Sequence, residues 1–408
     1  MFQAGAAEVD ITPPMGLAMD GYLARSGRNT GAHDPLLAQA LVMKTGDKQA
    51  AIVTLDVLAV SAAFTDPLRQ SLATMLHTSV DAVMICASHT HCGPAGLHTW
   101  FGEPSTLGTQ LTRMIHERVT EAAQIALRHL SPAGMVYAVG DVEGIGGDRN
   151  FKERQVDSQV TVLRFDKPDG TPIAILFHYA CHPTVLGADT RLYSAEFPGA
   201  ARNQIKAAYP DAIPLFLNGA AGNVSTRFFR SDQSFKEMER LGSLLGNRVV
   251  TLLEQPTSST STNLGWNYRN IELPLRAFAE QESRSFPPTG ETRIDRTRAE
   301  GVMIERQLQQ KFAGRSSQTA SLSVLRIGDW KLAFVPGEAF SDLAIALREP
   351  APLALVVGYA NDYLGYFPTQ VAIDGQTYEA LSSPYDARAH HLIETTLTEQ
   401  LLRLAPNG

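Results

Sequence analysis

Residues 81–94 read DAVMICASHTHCGP, an apolar, β-branched run that ends in two histidines one residue apart. A run of this length bounded by turn-forming residues predicts a buried strand, and the segments before it set its context. LAQALVMKTG (37–46) and KQAAIVTLDVLAV (48–60) are strand-like, while TDPLRQSLATMLH (65–77) repeats apolar residues at helical spacing. Strand, helix, strand makes an α/β unit. His89 and His91 then fall where the last strand leaves its sheet, and loops at such ends carry chemistry because the scaffold fixes them while water still reaches them. In an extended segment both side chains face one side. On this fragment alone three readings stand open: two metal ligands, a ligand beside a base, or two hydrogen-bonded loop histidines.

The alternation continues along the chain. LGTQLTRMIHERVTEAAQIALRHL (107–130) predicts a packed helix stopped by Ser131 and Pro132. QVTVLRFDKPDGTPIAILFHYACHP (159–183) and ASLSVLRIGDWKLAFVPGE (320–338) each join two β-type runs, through Lys167 to Gly170 and through Gly328 and Asp329, and predict hairpins. IPLFLNGAAGN (213–223) is a further strand ending in glycines, and residues 197–209 and 383–404 predict helices. The polar stretch at about 254–300 predicts a connector inside one domain spanning 1–408. No regular βαβ rhythm is present. The expected fold class is therefore mixed α/β (α+β), a single layered domain of mixed sheets with flanking helices, in preference to a doubly wound sheet.

At 408 residues, 44% hydrophobic and 19% charged, the chain can bury a sizeable core. Its net charge of -7 offers no broad basic surface, which argues against nucleic acid or an anionic membrane face as main partner. No apolar stretch reaches the roughly 18 residues of a membrane span, so no transmembrane segment is expected. MFQAGAAEVDITPP has neither the basic start nor the apolar centre of an export signal. The expectation is a cytoplasmic protein, with secretion open if a leader was trimmed. Three cysteines, Cys86, Cys92 and Cys181, are too few for a disulfide framework.

Other strand ends offer candidate groups. HYACHPTVLG (178–187) sets His182 before a proline turn, and FVPGEAF (334–340) sets Glu338 beside a glycine. Each taken singly also reads as a capped strand end or a carboxylate at a helix start. Asp56, ending AIVTLD, reads either as support for His89 or His91 or as a strand-end hydrogen bond. His33 and Asp34 suit a site's rim or a turn. His390 and His391 diverge around a helix and read as surface or packing residues.

ASHTHCGPAG (87–96) resembles the His-Thr-His-Ser-Gly-Pro motif of the neutral (alkaline, non-lysosomal) ceramidase family. The similarity continues in order through HYACHPTVLG, GAAGNVS (219–225), FVPGEAF, and NDYLGYFPT (361–369) with QTYEALSS (376–383). AGAAEVDITPP (4–14) looks like that family's opening strand. The resemblance covers most of the chain and corresponds to the family's catalytic domain. It implies a Zn²⁺ hydrolase that cleaves an amide, with His89, His182, Glu338 and Tyr366 matching the metal ligands. His91 matches a catalytic histidine beside the metal, and Arg149 in GGDRN, Ser225 in GNVST and Tyr378 match further active-site groups. Zinc of this kind lowers the pKa of bound water from 15.7 to about 7 and so supplies hydroxide. His91 or Tyr378 would then stabilise the oxyanion, His91 would pass a proton to the leaving nitrogen, and Arg149 would orient a polar group. Ser225 is expected to contact substrate, covalent catalysis being the minor alternative.

Some positions depart from the family pattern. Asn223 and Thr226 stand where the motif has aspartate and proline, and Cys92 stands where serine is usual and reads as a packing cysteine. The matching motifs do not extend into the immunoglobulin-like carboxy-terminal domain of family members, so reaction type transfers more readily than ceramide itself. The expected function is zinc-dependent hydrolysis of a small-molecule or lipid-like N-acyl amide, smaller or more polar than ceramide. An esterase or lactonase on the same zinc centre, or a noncatalytic binding protein that keeps the pocket, are the alternatives.

Overall fold

The computed structural model describes residues 1–100, 106–278 and 292–404. Its first sheet follows from the opening apolar runs: β1 (Phe2–Asp10), β2 (Leu37–Thr45) and β3 (Lys48–Leu55) pair antiparallel in sequence order. Helix α1 (Ala62–Met75) then carries the chain over to β4 (Val83–Ala87), which lies parallel to β3. Parallel pairing requires such a crossover, and the helix-spaced apolar residues of α1 supply it.

The second sheet is built from β5 (Gly134–Asp141), β6 (Gln159–Asp166), β7 (Pro172–Tyr179) and β8 (Ile213–Asn218). Its expected hairpin is present as β6–β7, and β8 joins β7 in parallel. A third sheet, β9 (Leu264–Pro274), β10 (Ser317–Ile327), β11 (Trp330–Phe334) and β12 (Ala354–Val357), repeats the plan, with the β10–β11 hairpin and a parallel β11–β12 pair. The mixed-sheet α/β expectation holds.

One buried face of each sheet contributes to a shared core, where Leu41 and Met84 meet Leu176 and Leu217 from the second sheet and Leu332 and Phe334 from the third. The other faces are covered by helices. α2 (Thr106–Arg128) packs on β1 and β2, α3 (Glu196–Ala208) on β8, α4 (Phe235–Leu252) on β5 and β6, and α6 (Ser341–Arg348) on β12. The remaining long helices are α5 (Thr292–Lys311) and α7 (Ala387–Arg403), the latter against β9 and β10. Among the described residues no helix is long and apolar enough to cross a membrane.

The stretch expected to be a connector differs from that expectation. Within it Leu264–Pro274 is an eleven-residue strand, paired with β10 along its whole length, and α5 begins at Thr292. β9 is an edge strand, so backbone pairing on one side holds it while Asn267, Arg269 and Asn270 face outward or toward α7. Polar side chains are tolerated there, which hides the strand from a hydrophobicity reading. Residues 279–291 of that stretch lie outside the described residues.

Each sheet thus contains one parallel pair, and the carboxyl ends of all three pairs are tied together. The Ala87 N–H donates to Tyr359 O, the Gly358 N–H to Asn218 O, and the Asn218 side chain to Ser88 O. A crevice outside the carboxyl ends of parallel strands is where open α/β sheets bind ligands.

Candidate active site

The histidine pair does not continue the strand. β4 ends at Ala87, and His89 takes a left-handed backbone with φ +67°. Both imidazoles still reach one place, with Nε2 of His91 3.4 Å from Nε2 of His89, but through this backbone turn and not through the two-residue alternation of a strand. Gly21 makes the approach possible. Its φ is +99°, and a Cβ there would stand 2.6 Å from the His91 ring.

Backbone carbonyls fix the tautomers. His89 Nδ1 lies 2.8 Å from Leu58 O, and His182 Nδ1 lies 2.7 Å from Ala221 O and 3.1 Å from Val224 O. A carbonyl only accepts, so in each ring Nδ1 carries the proton and Nε2 presents its lone pair. Burial pushes both rings, and His91, well below the ordinary histidine range, which keeps them neutral. His89 is further clamped by stacking on Tyr359, with centroids 3.9 Å apart and planes 20° apart.

Those lone pairs meet a carboxylate. Glu338 Oε2 is 3.0 Å from His182 Nε2 and 3.6 Å from His89 Nε2, and among the described residues the buried His182 Nε2 makes no hydrogen bond. Tyr363 donates to Glu338 Oε1 at 2.5 Å and Tyr359 to Oε2 at 3.4 Å. Two lone pairs aimed at a buried carboxylate repel unless a cation stands among them. Neutral imidazoles plus a carboxylate are the donor set zinc takes, and tetrahedral bonds of about 2.0–2.1 Å put neighbouring donors about 3.3 Å apart. The residues present fit such an ion. Ligand atoms of His89, His91 and His182 all lie within 4.8 Å of one another, so His91 also belongs to the cluster.

The other expected residues gather around it. Glu338 and Tyr366 are partners in a parallel pair of short strands, and His182 bridges to Ser225. Ser225 in turn pairs with Gly147, which brings up Arg149. Arg149 Nη2 donates to Gly222 O at 2.8 Å and to the Tyr366 hydroxyl at 3.1 Å, and its Nε faces Glu379 Oε1 at 2.5 Å. Burial opposes this guanidinium's charge, but Glu379, Tyr366 and Glu338 more than offset it and hold its pKa well above the ordinary arginine value. Tyr378 packs edge-on against Tyr366, centroids 6.1 Å apart.

The departure at Asn223 has a local reason. Its amide donates to Asp148 Oδ2 at 2.9 Å, and its carbonyl accepts from the Ser341 N–H at 2.9 Å. An aspartate there would set a second buried carboxylate against Asp148. Cys92 is buried and its thiol is pushed up by burial, as a packing cysteine should be.

Asp56 does not support either histidine. Both its oxygens are taken by Arg202, at 2.8 and 2.5 Å, and Oδ2 also accepts from the Leu37 N–H; the carbonyls of Leu58 and Ala221 orient the rings instead. His33 and Asp34 bond each other at 2.8 Å, with His33 stacked on Phe235 and Asp34 holding Ser194 and Ala195. Neither lines the site. His390 is packed under Phe367 O and His391 is exposed, as expected of that helix.

Glu379, Tyr359, Tyr363 and Gly21 belong to the site and were not singled out from sequence. Glu379 directly follows Tyr378 and Tyr363 precedes Tyr366 by one helical turn's length, inside motifs already noted, so proximity was the available signal. Gly21 had none. All the expected active-site residues except His182 line one cavity of about 700 Å³, together with Met19, Leu58, Trp100 and Ile304.

Comparison with known proteins gives the family and the fold. The sequence profile of the family described as neutral/alkaline non-lysosomal ceramidase, N-terminal, matches residues 2–213, more than half of the chain. The protein named neutral ceramidase from Mycobacterium tuberculosis (strain ATCC 25618 / H37Rv) is 21% identical over 94% of this chain and 74% of its own length. The crystal structure of neutral ceramidase from Pseudomonas aeruginosa shares the fold with a TM-score of 0.79 at 18% identity, over 99% of this chain and 74% of that one. A ceramidase complexed with C2 matches with a TM-score of 0.78 at 17% identity, over 99% and 75% of the two chains. The chain belongs to the neutral/alkaline non-lysosomal ceramidase family.

Proposed function

We propose that the protein is a zinc-dependent hydrolase of N-acyl amides. One observation carries the reading: the Nε2 lone pairs of His89 and His182, fixed by carbonyls on the far side of each ring, converge on Glu338 Oε2. In this reading His89, His182 and Glu338 hold the ion with Tyr366 as a further donor. Zinc, when bound, supplies the Lewis acidity that activates water and polarises a carbonyl.

The chain's own groups supply the rest. His91 lines the cavity as a neutral imidazole; it takes a proton from the attacking water and delivers it to the leaving nitrogen. Arg149, its charge held by Glu379, and the Tyr378 hydroxyl donate to the carbonyl oxygen as negative charge develops there. Ser225, next to His182 through the backbone bridge, contacts the substrate. Met19, Leu58, Trp100 and Ile304 give the cavity an apolar wall suited to an acyl chain.

The test is zinc content together with a substrate panel. The expected result is about one zinc per chain and turnover of N-acyl amides in preference to matched esters, lost on chelation and restored by zinc. A protein that takes up no zinc, or hydrolyses esters and lactones but no amide, refutes the reading.

A further inference from the structure

Most charged side chains lining the cavity have partners, Arg227 among them, its Nη1 donating to Arg149 O at 2.7 Å. Asp20 is bonded to His98 at 2.7 Å, Glu379 to Arg149 at 2.5 Å, and Glu300 faces Arg296 at 3.9 Å, while Glu338 belongs to the candidate metal centre. Arg230 differs. It ends a turn that begins one residue after Ser225, its N–H bonded to Thr226 O. Its Nη1 donates to Thr184 O and, at 3.3 Å, to Thr226 Oγ1. Among the described residues no carboxylate forms an ion pair with it, Glu196 acting on it only from a longer distance, and neither Nε nor Nη2 has an acceptor. Those two nitrogens form one edge of the guanidinium, a fork that matches the two oxygens of a carboxylate. The threonine contacts hold the head in place, so little side-chain freedom is lost when that edge is used.

The aromatic wall is a separate contact chain. Trp100 packs on Tyr363 and Phe312, each at 5.9 Å between centroids, whereas Arg230 is tied to Thr184 and Thr226 beside Ser225. An amide has two ends, and the cavity offers an apolar wall and a cation with a free hydrogen-bonding edge to receive them. Asp189, also on the lining, is exposed and makes no ion pair among the described residues.

We infer that Arg230 is a specificity residue, and that the substrate is an N-acyl amine whose amine portion carries a carboxylate, as in an N-acyl amino acid. This rests on the amide-hydrolase reading above. The acyl chain lies along the Trp100 wall, and the carboxylate takes the Nε and Nη2 edge of Arg230.

The experiment compares N-lauroylglycine with its neutral methyl ester and with N-lauroylethanolamine, on zinc-loaded wild type, Arg230→Gln and Arg230→Lys. Wild type is expected to favour the free acid by about tenfold or more in kcat/KM, the usual scale for a charge-assisted hydrogen bond. In Arg230→Gln that preference falls below about twofold, through KM and not kcat, and Arg230→Lys lies between. A wild type that treats acid and neutral probes alike, or prefers the neutral ones, overturns the inference whether or not the variants fold; so does a preference that survives in folded Arg230→Gln. If none of the amides is cleaved, the amide-hydrolase reading fails by itself. Calorimetric binding of the same probes then decides: tighter binding of the acid that is lost in Arg230→Gln supports the carboxylate site, and equal binding overturns it.

Discussion

Glu338 and Tyr366 stand opposite each other in a parallel pair of two-residue strands, Glu338–Ala339 against Tyr366–Phe367. A carboxylate and a phenol are thus set side by side by backbone register, one from the segment after β11 and the other from the segment after β12. Glu338→Gln keeps the shape and removes the charge. Its amide can donate to the His182 or His89 lone pair, so the metal-free protein should be as stable as wild type or about 1 kcal/mol more so. The rise in Tm on adding zinc should vanish with it, since that rise requires binding to the native state. Thermal melts with and without zinc check both; a Glu338→Gln protein that zinc still stabilises removes Glu338 from the ligand set.

Gly21→Ala tests how His91 is held. The φ of +99° costs a non-glycine residue about 1–3 kcal/mol, and the new Cβ would fall 2.6 Å from the ring. His91 must move while His89, His182 and Glu338 keep their own supports. We expect zinc stoichiometry to be retained and kcat to fall about 100-fold, the scale of a 1 Å misplacement. Loss of zinc in parallel with activity would instead make His91 one of the ligands.

What was legible in the sequence follows a physical divide. Buried strands such as β4, β7 and β11 announce themselves because both faces lie in apolar surroundings, and the residues just beyond them, His89, His182 and Glu338, could be named. β9 was missed because an edge strand is held by backbone bonds that polar side chains do not disturb. Glu379 acquires meaning only through Arg149, which is 230 positions earlier in the chain and meets it at 2.5 Å. Of the two readings of Asp56 the strand-end hydrogen bond is present, Oδ2 accepting from the Leu37 N–H, whereas its charged partner Arg202 comes from α3 and position alone could not name it.

Asp56→Ala separates stability from metal binding. Arg202 is buried with both Asp56 oxygens as partners, and burial of its charge is more than offset by that carboxylate. Removing the partner of a buried charge costs about 3–5 kcal/mol. Denaturant unfolding should show a loss of that size, while zinc content per folded chain stays unchanged because no imidazole depends on Asp56. A variant of near wild-type stability that has lost its zinc would restore the histidine-supporting role, one of the two readings of Asp56 from sequence.

Glu196 should make stability depend on pH in an unusual direction. It sits fully buried at the start of α3 with φ +61°, and its oxygens accept from the backbone N–H groups of Leu186 and Phe197, with the Val185 N–H acting in the same sense. Burial, only partly opposed by those bonds and by Arg230, raises its pKa from 4.5 to about 7. The folded state therefore binds more protons than the unfolded state between these values. Stability from this group is complete below pH 4.5, falls as pH rises toward about 7, and is flat above it. At 1.36 kcal/mol per pKa unit the whole change is about 3 kcal/mol. Other carboxylates superimpose the opposite slope, so the quantity to measure is the difference between wild type and Glu196→Gln in urea unfolding across that range. The wild type should lose ground to the variant as pH rises through the window. A difference that stays constant with pH would show that Glu196 titrates alike in the folded and unfolded chain.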